Sequence, residues 1–379
     1  MAAFLVSFLA GAVLSWILSS LELIPWRRAA QIHWTEQARR LFTARVAVVQ
    51  NLWLIPISLG LTGWIFWPDQ PWELVLLGGF LGAVAGGYPF DRATMGLSLP
   101  MWFRLWVATL MLQVLHGAML ASAVVFMPEE LDWRVWLIAG VFLLVAVGFA
   151  WGWGLRVLQA LRLLRPASPR LEALVQEIVA ETGIAVRSTH ELIHPLANAF
   201  AFVHTRQLVF TTRLLEVAPD DEIRAICRHE LAHLSESQWT RIGRLLGKLA
   251  TFPLIFFQPI HARFELHGAI GLALATVGIW FLGLRLTRWM EHRADRVVVA
   301  GAGDPAVYAR ALERLHRTNL FPAVMRRSRL NTHPDLYDRM IAANVTPDYP
   351  RPAPPSSHGW SATVLTVACT ITALALFLP

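Results

Sequence analysis

The sequence predicts an α-helical polytopic membrane protein of about eight spans, with a polar part that is mostly helical and includes a small β-hairpin or sheet. Of its 379 residues, 55% are hydrophobic and 16% are charged, which is too apolar for an ordinary soluble domain of this size. Several apolar runs approach or exceed the roughly 20 residues that a helix needs to cross a bilayer. Basic residues cluster at the ends of these runs, as they do on the cytoplasmic side of membrane proteins.

The N-terminal part of the chain, residues 1–157, is predicted to be a membrane domain. Arginines crowd the loop from Trp26 to Arg45 against a single acidic residue, which places that loop in the cytoplasm. The link Pro68–Pro71 has no basic residue and is predicted to be external. The third span is rich in glycine, which permits close helix packing. The five predicted spans are about Ala3–Ile24, Val46–Trp67, Trp72–Tyr88, Trp106–Met127 and Trp133–Gly154.

The net charge and the cysteines exclude two kinds of function. The formal charge of +7 does not indicate a nucleic-acid partner, because the basic residues follow the ends of the spans. The two cysteines, Cys227 and Cys369, lie far apart and provide neither a disulfide framework nor a cysteine-based zinc site. The first apolar run has no basic region before it, so it is predicted to be a retained helix rather than a signal peptide.

The polar section after the fifth span alternates between helical and extended patterns. A helix is predicted from Pro169 to Glu181, with Gly183 as its C-cap. Extended segments and one further helix follow it. The extended segments are Ile184–Thr189, Asn198–Val203 and Gln207–Thr211, and the helix runs from about Asp221 to Gln238.

The pattern H-E-x-x-H occurs twice in this section. On a helix, two histidines four residues apart share one face and can bind one zinc ion, and the glutamate between them can act as a general base. His229–His233 lies within a predicted helix, so the geometry is right there. His190–His194 follows strand-like residues and precedes Pro195, so we expect it not to bind metal.

A hydrolytic zinc site requires a third protein ligand, and the second half of the chain supplies a candidate. Two apolar runs, about Leu246–Ile260 and Ala269–Leu286, form a predicted membrane hairpin that returns the chain to the same face. Glu291 follows that hairpin and is the best candidate. Asp295, one helical turn later, could accept the free ring N–H of a ligating histidine. The alternative is that both carboxylates form a solvated face.

The remaining C-terminal elements complete the predicted domain organisation. A helix is expected from Asp304 to about Arg317, and a proline-rich linker from Pro347 to Pro355 leads to a last span, about Ala362–Leu378. The catalytic domain is therefore predicted at residues 158–345, including the hairpin at about 246–286. Residues 346–379 form the linker and the last span, and both termini are predicted to be external.

Four motifs between about Pro169 and Met340 resemble the zinc metallopeptidases that include the CaaX prenyl proteases and the bacterial heat-shock protease HtpX. The motifs are Asn198–Ala201, His229–His233, Glu291–Asp295 as the family's E-x-x-x-D, and Thr332–Pro334 with Arg339. The resemblance implies a zincin-like catalytic part that hydrolyses peptide bonds. Five spans before the metal helix resemble the CaaX protease layout more than the four-span HtpX layout, and the eighth span departs from it.

The resemblance also implies roles for individual residues. His229, His233 and Glu291 would hold one Zn2+ ion, and Glu230 would be the general base. His333 and Arg339 would lie near the developing oxyanion or the substrate backbone, although both could belong to a surface turn. Asn198 would bind an extended substrate at a strand edge, or could be only a turn residue.

The sequence therefore predicts a membrane zinc endopeptidase that acts at the cytoplasmic face, in a bacterial inner membrane. Its partners would be the lipid bilayer and a peptide or membrane-protein substrate, including lipid-modified peptides. One alternative is a zinc-containing sensor-transducer, but every predicted external loop is short for a sensor domain. Another is a transporter, but apart from His116 in the fourth span the spans offer few polar groups for a pathway.

Overall fold

A computed structural model of the chain describes residues 1–66, 69, 71–125, 127–301, 305–326, 335–357 and 359–377. Its N-terminal part consists of long helices, as the apolar runs predict. A π-helical turn, Phe149–Trp153, joins the fifth helix to the sixth. Within this turn, Gly152 adopts a positive φ of 97°. The helices are α1 (Ala2–Arg27), α2 (Trp34–Phe66), α3 (Trp72–Met95), α4 (Leu99–Val125), α5 (Trp133–Gly148) and α6 (Gly154–Ala160).

Helices α1 and α3 approach each other at glycine, as the glycine-rich third span predicts. A Cβ atom added at Gly82 would lie 2.1 Å from the carbonyl oxygen of Phe8. One added at Gly86 would lie 2.2 Å from the carbonyl oxygen of Ala12. No side chain fits at these distances, so glycine lets the two backbones touch.

The helices of the membrane part extend further than the apolar runs. The loop predicted from Trp26 to Arg45 is shorter in the structure, because α1 ends at Arg27 and α2 begins at Trp34. The side chain of Glu36 pairs with Arg39 at 2.7 Å and with Arg40 at 2.6 Å, and such i,i+3 and i,i+4 pairs stabilise a helix outside the bilayer. Hydrophobicity marks only the part of a helix that lipid surrounds, so it misses these polar turns.

The strands form one mixed sheet in the order β1-β2-β4-β3. Strands β2 and β4 are parallel, and the two outer pairs are antiparallel. Strand β4 has the predicted bounds, and β3 lies within the predicted segment. Strand β2 lies further along the chain than predicted and contains His190. The bounds are β1 (Leu164–Pro166), β2 (Ser188–Leu192), β3 (Ala199–Phe202) and β4 (Gln207–Thr211).

Helices α7 (Pro169–Thr182), α8 (Thr212–Val217) and α9 (Asp220–Leu234) belong to the same polar domain as the sheet. Gly183 caps α7 in the left-handed conformation with φ of 68°, as predicted. Apolar side chains of α7, α9 and the sheet share one core, which includes the fully buried Ile178, Phe210 and Leu231. This packing orients α9, the helix that carries the second H-E-x-x-H.

The predicted membrane hairpin differs from the observed structure. Its first arm is helix α10 (Gln238–Lys248) followed by a short 3-10 turn, Phe252–Phe256, rather than one apolar helix. Its second arm, helix α11, runs from Phe257 to Gly301, and the backbone at Glu265 leaves the helical region with φ of 49°. The chain still turns back, because Gly247 of α10 packs against Gly283 of α11.

The C-terminal part consists of α12 (Pro305–Asn319), α13 (Leu336–Ala342) and α14 (Trp360–Phe377). Helix α14 packs against α1 and α2, where the buried carboxylate of Glu22 accepts hydrogen bonds from the backbone N–H and the hydroxyl of Ser361. The proline-rich linker before α14 has no regular secondary structure. Within it, the ring of Tyr349 is buried against the edge of Trp34.

Within the described residues, five helices are long and apolar enough to cross a membrane. Two shorter apolar helical segments, Leu99–Leu112 and Trp360–Thr372, come from α4 and α14. The long candidates are Ala2–Arg27, Trp34–Ile65, Trp72–Met95, Trp133–Ala160 and Phe252–Val298. The chain is therefore a mostly helical protein with several candidate spans and a small mixed sheet. The total of eight spans and the external termini stay predictions.

Candidate metal centre

The second H-E-x-x-H lies on α9, where helical geometry puts both histidines on one face. Their ring centroids are 4.9 Å apart. His229, Glu230 and His233 are between 6% and 9% exposed, so all three are close to fully buried. Cys227 on the same helix is completely buried, and burial raises the pKa of its thiol to about 12. Cys227 therefore packs in the core of the catalytic part.

Helix α11 brings Glu291 to the two histidines, as the returning chain predicts. Its Oε2 atom lies 3.6 Å from Nε2 of His229, and its Oε1 atom lies 3.6 Å from Nε2 of His233. One ligand atom from each of the three residues lies within 4.8 Å of the others. No other metal-competent cluster of three such side chains occurs in the part of the chain that the structure describes.

This donor set fits a zinc ion. Two ligand atoms on one tetrahedral zinc, each about 2.0–2.1 Å from it, lie roughly 3.4 Å apart, close to the separations seen here. Two imidazole nitrogens and one carboxylate leave a fourth position open, as in hydrolytic zinc sites. The electrostatics agree: although burial favours the neutral ring, hydrogen bonds to Asp295 and Glu291 raise the pKa of His229 to about 9. The surrounding carboxylates thus favour a cation at this point.

Three side chains of low exposure, those of Tyr308, Asp295 and Arg339, form a group on the Nδ1 side of His229. Tyr308 on α12 places its hydroxyl oxygen 2.7 Å from Nδ1 of His229 and donates to Asp295 at 2.8 Å. Asp295 also lies 3.3 Å from the same Nδ1 atom. Arg339 donates to both Asp295 and Tyr308, at 2.5 and 2.7 Å. Because burial raises the pKa of Tyr308 well above its usual value, this phenol stays neutral, and its oxygen can accept a hydrogen bond from the Nδ1–H of His229.

A second group supports His233 in the same way. Nδ1 of His233 lies 3.0 Å from the buried carboxylate of Glu236, which also accepts from Arg244 at 2.5 and 2.8 Å. Burial acts to raise the pKa of Glu236, but the hydrogen bonds from His233 and Arg244 outweigh it and lower that pKa. With both Nδ1 atoms bonded to oxygen, the Nε2 atoms of His229 and His233 are left for the metal.

Asp295 is predicted from the sequence, whereas Tyr308, Glu236 and Arg244 are not. Arg339 donates to Asp295 and Tyr308 and also lines the cavity, so its predicted place near the oxyanion or the substrate backbone stays a prediction. Glu236 could have been found, because it follows His233 by three residues and so lies beside it at the end of the helix. Nothing in the sequence marks Tyr308, which reaches the site only through the packing of α12. His333 lies outside the described residues, so its predicted role stays a prediction.

The first H-E-x-x-H has no helical geometry. His190 lies on strand β2 and contacts the hydroxyl of Ser188 at 3.0 Å, while Nδ1 of His194 accepts from the backbone of Leu196 at 3.1 Å. The glutamate between them, Glu191, pairs with Arg165 at 2.7 Å. No helix links the two histidines, because His194 lies beyond the end of β2, and they form no metal-competent cluster among the described residues.

An open cavity of about 570 Å³ lies in front of the metal ligands. Glu230 lines it together with His229, His233 and Glu291. Strand β3, the last strand of the sheet, forms another wall with residues 197–201. Asn198 stands at the start of β3, where its side-chain oxygen accepts from the backbone N–H of Ala199 at 2.9 Å. The predicted metal ligands, general base and strand edge therefore face one space.

Comparison with known proteins agrees with this geometry. A family model described as peptidase family M48 matches residues 167–346, which contain α9, the sheet from β2 onward and Glu291. A protease HtpX homolog of Ralstonia nicotianae is 26% identical over 200 residues, which cover 49% of this chain and 68% of that protein. One of Methanothermobacter thermautotrophicus is 28% identical over 159 residues, 39% of this chain and 59% of that protein.

A third relative aligns over more of the chain. The protease HtpX homolog of Trichormus variabilis is 25% identical over 241 residues, which cover 56% of this chain and 81% of that protein. The three alignments thus span between 59% and 81% of the relatives' lengths. All three relatives carry the HtpX name, and the CaaX-like count of spans stays a prediction.

Proposed function

Through residues 167–346 the chain belongs to peptidase family M48, and on that premise we propose that it is an integral membrane zinc endopeptidase. Its substrates would be membrane proteins or lipid-modified peptides, cleaved at the cytoplasmic face. One observation carries the proposal: three metal-competent side chains, a glutamate and an open strand edge line the same cavity. A transporter would have no need for that combination.

The residues of the cavity have distinct tasks in this reaction. His229, His233 and Glu291 would hold the zinc ion, which when bound supplies Lewis-acid polarisation of the scissile carbonyl. Glu230 would take a proton from the attacking water and later deliver it to the leaving amine. Tyr308 and Asp295 hold the Nδ1 side of His229, which leaves its Nε2 atom for the metal. Low exposure of these groups strengthens their electrostatic effect on the reaction.

The edge of strand β3 is the proposed binding surface for the substrate backbone. An extended peptide can add to a free strand edge through main-chain hydrogen bonds, which do not depend on its sequence. Helix α9 packs against β3, so a peptide on this edge would lie beside the H-E-x-x-H residues. Asn198, at the start of this strand, would hydrogen-bond the substrate with its side chain.

Two features support action at the membrane and at its cytoplasmic side. The cavity is lined by Phe42 of α2, a helix that is itself a candidate span, so the site begins where the membrane part ends. Arginines cluster at the same end of the helices: Arg27 and Arg28 close α1, and Arg39, Arg40 and Arg45 lie on the first turns of α2. Such an excess is typical of cytoplasmic segments.

Replacing Glu230 by glutamine tests the proposal directly. We expect the purified variant to keep its zinc and to lose peptide hydrolysis by about 10²–10⁴-fold, because the amide cannot accept the proton. Zinc content and hydrolysis of an unfolded protein substrate would be measured on the same preparation, with Glu191→Gln of the first H-E-x-x-H as the matched control. Full hydrolysis by Glu230→Gln would remove Glu230 as the base.

A further inference from the structure

The side-chain amide of Asn319 forms a closed pair of hydrogen bonds with one backbone residue beside the cavity. Its Oδ1 atom accepts from the N–H of Ala197 at 2.8 Å, and its Nδ2 atom donates to the carbonyl of Ala197 at 2.8 Å. Asn319 is 4% exposed, and both residues line the cavity. An amide that satisfies both backbone groups of one residue imitates the bonding of a neighbouring strand.

The alternation of the backbone shows which edge this amide occupies. Asn198 faces strand β4, because its carbonyl accepts from the N–H of Thr211 and its own N–H donates to the Thr211 hydroxyl. Along an extended chain, neighbouring residues turn their N–H and C=O groups to opposite sides. Ala197, Ala199 and Ala201 therefore point away from β4, toward the free edge. The amide of Asn319 occupies the first of these three positions.

We propose that Asn319 is an end stop that limits where a substrate strand can pair with β3. This rests on the proposed peptidase function and adds a specificity-determining residue to it. A peptide can pair with Ala201, and with Ala199 if the Ala199 N–H exchanges the side-chain oxygen of Asn198 for a peptide carbonyl. The next position on the edge is filled by Asn319. The substrate strand must therefore end, or turn away from the sheet, before it reaches Ala197. Without such a stop, a strand held only by backbone bonds can slide along the edge in steps of two residues.

The position of Asn319 is fixed by its own helix and by a contact with the membrane part. Asn319 is the last residue of α12, and Arg45 of the membrane helix α2 donates to its carbonyl at 2.9 Å and to that of Leu320 at 3.3 Å. The same helix α12 carries Tyr308, which bonds to the metal-ligating His229. One rigid helix thus sets the distance between the metal centre and the end of the binding edge.

The test maps cleavage sites in an unfolded protein substrate by mass spectrometry, using the full chain with zinc. With Asn319→Ala, we expect new sites two residues away from the original ones, used within about tenfold of them, because one more backbone pair becomes available. Asn319→Asp, which keeps an oxygen for the Ala197 N–H, should shift fewer sites. The matched control is Asn51→Ala, which removes another buried amide, on α2, and should leave the sites unchanged.

A second measurement needs no variant. For the wild-type chain, lengthening a peptide beyond the stop should leave kcat/KM unchanged at one end, while lengthening at the other end raises it. Equal gains at both ends, or identical cleavage sites in the wild type and Asn319→Ala, would overturn the proposal. A wild-type chain that cleaves nothing would instead contradict the peptidase function itself.

Discussion

His229 is contacted by side chains from two helices besides its own: Tyr308 from α12, and Asp295 and Glu291 from α11. Arg339 from α13 in turn holds Asp295 and Tyr308. The orientation of the imidazole therefore depends on how these helices pack, not on α9 alone. Partners of this kind fix the tautomer of a metal-ligating histidine and raise its basicity.

Tyr308→Phe should weaken zinc binding without removing a ligand. The variant loses the hydroxyl that lies 2.7 Å from Nδ1 of His229 and bonds to Asp295 and Arg339, and it leaves only Asp295, at 3.3 Å, as an acceptor for Nδ1–H. We expect the zinc dissociation constant to rise about 10–100-fold, measured by competition with a chelator. Tyr337→Phe on α13 is the control, because that ring packs against Tyr349 and Arg351 rather than His229. Equal affinities for both variants would exclude the proposed role of Tyr308.

At this scale the sequence predicts what a local pattern can encode. His229, Glu230 and His233 share a helical face by spacing, and Glu291 and Asp295 share another by the same rule. The contacts of Tyr308 and Arg244 depend on the angles between helices, which no spacing reveals. The bonds of Arg339 to Asp295 and Tyr308 depend on the same packing, and no spacing predicts them.

At the scale of elements, the boundaries follow capping more closely than hydrophobicity. The metal helix was predicted to run to Gln238, but α9 ends at Leu234 and a new helix begins at Gln238. The hydroxyl of Ser237 accepts from the N–H of Thr240 and so caps α10. This break lets Glu236 turn back to His233, so the boundary itself builds part of the site.

The C-terminal helix α14 is attached by a close contact that leaves no room for a side chain. A Cβ atom at Gly359 would lie 2.2 Å from Cβ of Ala47 and 2.6 Å from Oε1 of Glu22. Gly359→Ala should therefore lower the free energy of unfolding by about 1–3 kcal/mol, seen as a lower Tm of the purified chain. Gly271→Ala on α11 meets nothing within 4 Å and serves as control. A similar loss in both variants would argue against this contact.

For the whole molecule, the fold class follows from composition, because 55% hydrophobic and 16% charged residues are too apolar for an ordinary soluble domain of this size. The number of crossings is harder to predict. In place of one predicted apolar arm, the structure has the amphipathic helix α10 and a short 3-10 turn. Arg244 of α10 donates to Glu236, which supports the metal ligand His233. The polar residues of α10 take part both in helix packing and in the metal centre, and hydropathy alone predicts neither role.

The proposed orientation predicts on which side of the membrane two points of the chain lie. A reporter fused after Arg170 should report a cytoplasmic position, because the arginines that precede it favour that side. A reporter fused after Pro379 should report an external position. Activity of the Arg170 fusion on the external side would reverse the orientation and place the cavity outside the cell.

The account depends most on which H-E-x-x-H binds metal. Zinc content per chain, measured on purified wild type, His229→Ala and His190→Ala, tests it most directly. We predict about one zinc ion in the wild type and in His190→Ala, and almost none in His229→Ala, because a site with three protein ligands loses one of them. Wild-type zinc content in His229→Ala, or its loss in His190→Ala, would contradict the account.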